Sequence, residues 1–314
     1  MTMEKRKIGS LAVSIVGLGC NNFGGRLDYD GTLAVVDAAL DAGINFLDTA
    51  DIYGKTQSEE LLGRALAGRR DKVILATKFG MEVDAQRKGA KPDYVRRAAE
   101  DSLRRLKTDF IDLYQLHTPD PETPIGDTLA VLDELVQSGK VREIGCSNFS
   151  VPQLREAKAA AGGMEKQGAR FVSVQNEYSL LHREPEREVL AECARESLAF
   201  LPFFPLASGA LTGKYRRGEK KPESSRLTNS ESMARRFFDE PKQEIVEKLR
   251  AFAESRGHSL LELAFSWLLR HRAVASVIAG ATRPEQIRAN VQAAGWTLSE
   301  EDLAEIDRIA PVAA

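Results

Sequence analysis

The chain is poor in the residues from which metal and disulfide sites are built. It has four histidines, at positions 117, 182, 258 and 271, and neither H-x-H nor H-E-x-x-H occurs. A zinc hydrolase is therefore not expected. Three cysteines, Cys20, Cys146 and Cys193, are scattered without a C-x-x-C. That excludes a disulfide framework and fits a reducing cytosol. No apolar run reaches the ~18 residues of a membrane span. Formal net charge is −2, so no basic footprint for nucleic acid or an anionic membrane is present. The opening MTMEKRKIGS is charged and lacks an apolar stretch, which argues against a secretory leader. The expectation is a soluble cytoplasmic protein with a small-molecule partner; oligomeric state is not legible.

What is present is a regular alternation. A polar-apolar alternation from Lys5 to Ser14, broken by Gly9-Ser10, predicts a β-hairpin. Eight apolar runs follow, at 15–18, 44–47, 73–77, 110–116, 141–146, 171–175, 199–204 and 274–278. Helical patterns lie between them. Thr32–Ala42 shows one apolar face. Ser58–Ala67 begins with Ser58 as an expected N-cap. Pro92–Leu106 opens on proline, Ile125–Ser138 ends before Gly139, and Pro152–Ala161 ends before Gly162-Gly163. Two helices are expected at 241–256 and 259–271, and a last one at Leu298–Ile309. Residues 216–238 read as a long polar loop, with Arg235-Arg236 as a solvated charge run. Strands alternating with helices predict parallel βαβ units closed into a (β/α)8 TIM barrel. At 314 residues one domain spanning 1–314 is expected.

In that fold the chemistry gathers on the loops after the strands. Asp48 and Tyr53 follow the second strand, Lys78 the third and His117 the fourth. Each alone has an ordinary reading: a turn aspartate, a packing tyrosine, a solvated lysine, a loop histidine. Together they suit carbonyl reduction, in which an oxygen gains negative charge and needs a proton. Tyr53 can donate it, though a free phenol, with a pKa of ~10, is a weak acid. A cation at Lys78 is expected to lower that value. Lys78, if buried, needs a carboxylate, which Asp48 supplies. His117 can orient the substrate oxygen. Asp51 reads as a turn residue accepting a local backbone N–H. His182, His258 and His271 read as ordinary histidines near helix ends.

These motifs carry a resemblance. The run G-I-N-F-L-D-T-A-D-I-Y-G, with K-F-G at 78–80, Q-L-H at 115–117 and S-N at 147–148, resembles the aldo-keto reductase family. The resemblance runs from Lys7 to about Pro311 and implies a barrel that binds NADP(H) without a Rossmann motif. Consistently, Gly17-Leu18-Gly19 is not completed into G-x-G-x-x-G. By resemblance Asp48, Tyr53, Lys78 and His117 form the catalytic tetrad. Ser147, Asn148 and Gln175 take the positions that hold the nicotinamide carboxamide. Phe203 takes the place of the stacking aromatic without its hydroxyl, and Phe204 stands where serine is common. Gly19, Cys20, Asn21 and Asp48 would contact the cofactor from the first two strand ends. Pro205, Leu206, Ser208, Gly209, Leu211, Thr212 and Lys214 would surround the pyrophosphate. Ala279, Gly280, Ala281, Thr282, Arg283, Gln286 and Asn290 would hold the adenosine end. Arg283 suits a 2′-phosphate, so NADPH is expected over NADH.

The expected function is NADPH-dependent reduction of an aldehyde or ketone to an alcohol. Phe23, Ile52, Phe79 and Met81 are candidate walls of the substrate pocket. The 81–91 loop carries Arg87, Lys88 and Lys91, read as solvated cations. The alternative is a cofactor-binding regulatory subunit with little turnover, like the potassium-channel β subunits that resemble the same family. A metal-dependent barrel hydrolase is a third reading, disfavoured by the scattered histidines.

Overall fold

The computed structural model describes residues 3–162, 168–219, 222–223 and 225–312. Two antiparallel strands come first, β1 (Lys5–Ile8) and β2 (Leu11–Ser14). Eight parallel strands follow: β3 (Val16–Gly19), β4 (Phe46–Asp48), β5 (Ile74–Phe79), β6 (Ile111–Leu116), β7 (Val141–Ser147), β8 (Phe171–Glu177), β9 (Ala199–Phe203) and β10 (Val277–Gly280). Their order is β10-β3-β4-β5-β6-β7-β8-β9. The seam between β9 and β10 is closed by two hydrogen bonds. Phe200 N donates to Ala273 O at 2.7 Å, and Ala275 N donates to Phe200 O at 3.0 Å. The sheet is therefore a nearly closed barrel with helices between its strands, the (β/α)8 architecture expected. The predicted 274–278 strand is divided: its first half closes the seam, and β10 pairs with β3 from Val277 onward.

The strands read as continuous apolar runs because both faces are covered. Leu47, Leu75, Tyr114, Val174, Phe200 and Val277 point outward into the helices. Phe46, Ala76, Leu113, Ala199, Leu201 and Ile278 point inward, and Ile8, Leu11 and Val13 of the hairpin join them. The hairpin thus plugs one end of the barrel. Side chains alternate with period two. Two residues beyond Phe46, Ala76 and Leu113, the inward positions are Asp48, Lys78 and Gln115. The apolar layer therefore ends where a polar layer begins.

Several local expectations are corrected. The second helix spans Gln57–Ala65, with Thr56 at its N-cap and no side-chain cap bond. Ser58 is not that cap. It is buried, and its hydroxyl bonds Cys20 O at 2.9 Å and Thr49 Oγ1 at 2.8 Å. The 216–238 stretch is not all loop. It contains helices Arg226–Asn229 and Glu231–Phe237, capped by the hydroxyls of Ser225 and Ser230. A helix at Val189–Glu196 precedes β9. The remaining helices fall at Tyr29–Asp41, Pro92–Leu106, Ile125–Gln137, Val151–Gly162, Glu240–Ser255, Leu260–Leu269, Pro284–Gln292 and Glu300–Ile309. Gly163, expected just past one helix, lies outside the described residues.

Candidate active site

A cleft of about 1200 Å³ opens over the strand ends opposite the hairpin. The polar inner layer forms part of its floor. Lys78 is wholly buried and donates to Asp48 Oδ2 at 2.5 Å, Thr49 O at 2.8 Å and Tyr53 Oη at 3.4 Å. Register explains the meeting: Asp48 lies beside Ala76 on β5, and Lys78 beside Gln115 on β6. Gln115 and Gln175 both donate to Asp48 Oδ1, at 3.0 and 3.1 Å. Burial opposes the charge on Lys78, but Asp48 and then Tyr53 more than offset it, so its pKa stands above the ordinary lysine value.

Tyr53 is presented by a turn in which Gly54, Lys55 and Thr56 all have positive φ, at 57°, 55° and 77°. Gly54 is required there, because a Cβ would lie 2.5 Å from Phe23 O. Tyr53 is half-buried and lines the cleft. Burial raises the phenol pKa; Lys78 pulls it down and Asp48 pushes it up, and the net direction is upward. Lys78 does pull the value down, as expected, but desolvation outweighs the ammonium. His117 stands edge-on to Tyr53, with ring centroids 5.9 Å apart. Burial and then the Lys78 charge push its pKa down to about 3, so the imidazole is neutral. Its Nδ1 has no hydrogen-bond partner.

The cleft also exposes Gly19, Asn21, Ser147, Asn148, Gln175, Phe203, Pro205, Leu206, Ser208, Gly209, Thr212, Lys214, Ala279, Gly280, Thr282, Gln286 and Asn290. Ser147 donates to Gln175 O at 2.7 Å, and Asn148 Nδ2 donates to His117 O at 2.9 Å, tying these side chains to the tetrad. Strained backbone gathers on the same rim: Asn148, Phe204, Ala207 and Ser208 have φ of 62°, 50°, 45° and 56°. Cys20, Leu211 and Ala281 are buried behind the wall rather than on it. Arg283 is exposed at its edge. Of the candidate substrate residues only Met81 lines the cleft. Phe23 and Phe79 are core, Phe79 stacking on Tyr114 at 4.7 Å, and Ile52 is half-buried off the lining.

A family model described as "Aldo/keto reductase family" matches residues 15–311. The chain belongs to the aldo/keto reductase family. It is 36% identical over 318 residues to "Aldo-keto reductase YhdN" of Bacillus subtilis, covering 98% of this chain and 93% of that one. It is 34% identical to "Probable aldo-keto reductase 1" of Glycine max, over 96% and 86% of the two chains. Among solved structures, it is similar to the holo form of aldo-keto reductase AKR11C1 from Bacillus halodurans, with a TM-score of 0.80 and 33% identity over 99% and 97% of the chains. The glycerol dehydrogenase AKR11B4 from Gluconobacter oxydans aligns with a TM-score of 0.84 and 31% identity over 100% and 98%. Membership supports oxidoreductase activity on carbonyl compounds.

The aldo/keto reductase frame makes the unforeseen residues more visible. Gln115 holds Asp48 and was legible from its phase, two residues below His117. Arg226 comes from the stretch read as loop. It lines the cleft and donates to Asn21 Oδ1 at 3.1 Å and Asn22 Oδ1 at 2.9 Å. Burial, then Arg26, hold its pKa below the ordinary arginine value. Arg26 lines the same wall. Lys214 reaches solvent, yet partial enclosure and then Arg26, Arg283 and Arg226 lower its pKa. Arg236, read as a solvated charge, lines the cleft too, pairs with Glu177 and packs over Phe237 at 4.9 Å. His182 also lies on the lining. Asp51 stands in a turn with the Ile52 N–H beside its carboxyl, and it is buried there, 2% exposed. Among the described residues no three His, Cys, Asp or Glu side chains gather to hold a metal ion.

Proposed function

We propose that this aldo/keto reductase reduces a small aldehyde or ketone to its alcohol with NADPH. The observation that carries the reading is the buried Asp48–Lys78–Tyr53 chain, ending 5.9 Å from the His117 ring at the floor of the cleft. The chain has the groups an NADPH molecule needs. Ser147, Asn148 and Gln175 offer amide and hydroxyl partners for a carboxamide, and Phe203 offers a stacking face. At the other end Arg26, Lys214, Arg226 and Arg283 crowd one another, and the charges that lower the Lys214 and Arg226 pKa values are those of neighbouring arginines. Such a cluster suits phosphates, including the extra 2′-phosphate of NADPH. Gln286 and Asn290 line the adjoining wall and would face the adenine.

When bound, NADPH would supply the hydride to the carbonyl carbon. The protein's own residues would do the rest. Neutral His117 donates to the carbonyl oxygen and orients it. Tyr53 keeps its proton until that oxygen becomes the stronger base, then gives it up. Lys78, 3.4 Å away, stabilises the phenolate left behind. Asp48 and Thr49 fix Lys78, and Gln115 and Gln175 fix Asp48. Three free, buried cysteines suit a reducing cytosol, and no helix among the described residues is long and apolar enough to cross a membrane. One functional domain over 1–314 is part of the same reading.

The test is Tyr53→Phe assayed on a panel of aldehydes and ketones with NADPH and NADH. Turnover should fall steeply while NADPH binding, followed by fluorescence, is kept. Reduction at the wild-type rate would sink the proton-donor role. A wild-type protein that binds NADPH but reduces nothing in the panel would favour the regulatory-subunit reading.

A further inference from the structure

Behind the turn that carries Tyr53 lies a second set of buried charges that the reduction does not use. Asp51 and Glu59 are 2% and 0% exposed. Arg105 is the guanidinium beside them, and Glu59 already holds it, Arg105 Nε donating to Glu59 Oε2 at 2.7 Å. The other oxygen of Glu59 accepts from Thr77 Oγ1 at 2.6 Å. Glu59 is thus fully satisfied as a carboxylate. Asp51 is not. Its Oδ2 accepts a long 3.4 Å bond from Tyr94, its Oδ1 has no partner at hydrogen-bond geometry, and the adjacent Ile52 N–H and Arg105 offset its burial only in part. Two enclosed carboxyl groups beside one cation cannot both carry charge cheaply.

The groups facing Asp51 come from three elements. Glu59 lies on helix Gln57–Ala65, Tyr94 and Arg105 on helix Pro92–Leu106, and Tyr114 on β6. Arg87 and Arg97 act on the Tyr94 hydroxyl. The backbone of Asp51 belongs to the active site: its N–H donates to Lys78 O at 3.1 Å, and Tyr53 N donates to Ala50 O at 3.2 Å in the same turn. The side chain is absent from the cleft lining.

We propose that Asp51 is a positioning residue for Tyr53, and that it holds the Tyr53 turn against helix Pro92–Leu106 as a neutral carboxylic acid while Glu59 carries the single negative charge. This rests on the carbonyl-reduction reading only for its effect on turnover. Burial, then the Glu59 charge, push the Asp51 pKa up to about 7, so the proton is lost within the physiological range. Ionisation puts a second charge behind the turn, two residues from the proton donor, and loosens the Tyr53–Lys78 contact.

The test compares Asp51→Asn, which mimics the neutral acid, with Asp51→Ala, which leaves Tyr94 without its acceptor. In wild type, kcat should decline as pH rises through about 7. Asp51→Asn should keep the low-pH kcat and remove that decline. Asp51→Ala should lower kcat roughly tenfold or more, the scale for a misplaced catalytic group, with KM for NADPH unchanged. Two readouts need no turnover. Difference infrared spectra should show a protonated carboxyl band that disappears on raising pH and is missing from Asp51→Asn. The Tyr53 titration, read as the ultraviolet difference between each background with and without Tyr53→Phe, falls where wild-type Asp51 is already ionised, so it should shift from the wild-type position in Asp51→Asn as well as in Asp51→Ala. An unchanged pH profile in Asp51→Asn, no such infrared band, or an unmoved Tyr53 titration in Asp51→Ala would each overturn the proposal. A wild type without turnover would overturn the reduction reading instead, and the two spectroscopic readouts would still decide the role of Asp51.

Discussion

Lys78 and Lys214 belong to the same rim of the barrel, yet their surroundings are opposite. Lys78 projects from a strand and finds three oxygen acceptors, one of them the Asp48 carboxylate. Its neighbours favour its charge strongly enough to offset complete burial. Lys214 stands on the loop after β9 among Arg26, Arg283 and Arg226, and its neighbours disfavour its charge. The strand-borne group is electrically complete on its own and is held rigid. The loop-borne group is in excess and would gain from an anion. On the proposed reading the comparison separates chemistry from binding: the first region would serve proton transfer, the second would hold phosphate.

Removing Tyr53 should cut deepest. Tyr53→Phe is expected to lower kcat by about 10²–10⁴-fold, the usual range for losing a general acid, in steady-state assays, with NADPH affinity kept. If affinity fell as much as kcat, the two regions would not be separable. Asp48→Asn should come next. It strands a buried ammonium, which costs about 3–5 kcal/mol and should show as a lower thermal midpoint. The same neutralisation in the loop region, Lys214→Met, should leave the midpoint almost unchanged or raise it, because it relieves repulsion. Its expected effect is on KM for NADPH, about tenfold, the scale of one charge-assisted bond. High salt should weaken NADPH binding in wild type more than in the variant.

The two regions also differ in pH response. His117 has a folded pKa near 3 against its ordinary 6.5. Its neutral form is favoured by folding, so the stability it contributes is complete above pH 6.5 and drains as pH falls towards 3. The slope is on the order of 1.4 kcal/mol per pH unit. His117→Asn should flatten the thermal midpoint across that window. The smallest effect is expected at Arg283. It is exposed, so Arg283→Ala should shift the NADPH-to-NADH preference only several-fold, as one solvent-screened phosphate contact would. No shift in that ratio would detach Arg283 from the phosphate cluster.

The meeting of Asp48, Lys78 and His117 was legible because strands have a strict period. Once Phe46, Ala76 and Leu113 are taken as inward, Asp48, Lys78 and Gln115 are inward too. Arg226 was not legible in this way. The 216–238 stretch has no apolar periodicity, and its two short helices are held by caps at Ser225 and Ser230 and by docking of Leu227 and Phe237, both buried. The capping serines were the available clue. Ser58 misled for the same reason: a hydroxyl that looks like a cap was taken by Cys20 O and Thr49 Oγ1. Nothing local shows that the Asp51 turn is buried. The helix that buries it, Pro92–Leu106, begins some forty residues later in the chain.

Residue order alone determined the barrel, the phase of its strands and the identity of the four side chains that meet above the apolar layer, because period and spacing are local properties of a chain. Tertiary structure decided their electrical state. Tyr53 keeps its proton, His117 stays neutral, Lys78 stays charged and Asp51 titrates near neutrality because each group's solvation and charged neighbours come from segments far apart in sequence. Desolvation and Coulomb energy depend on distance in space, and only the folded chain sets those distances.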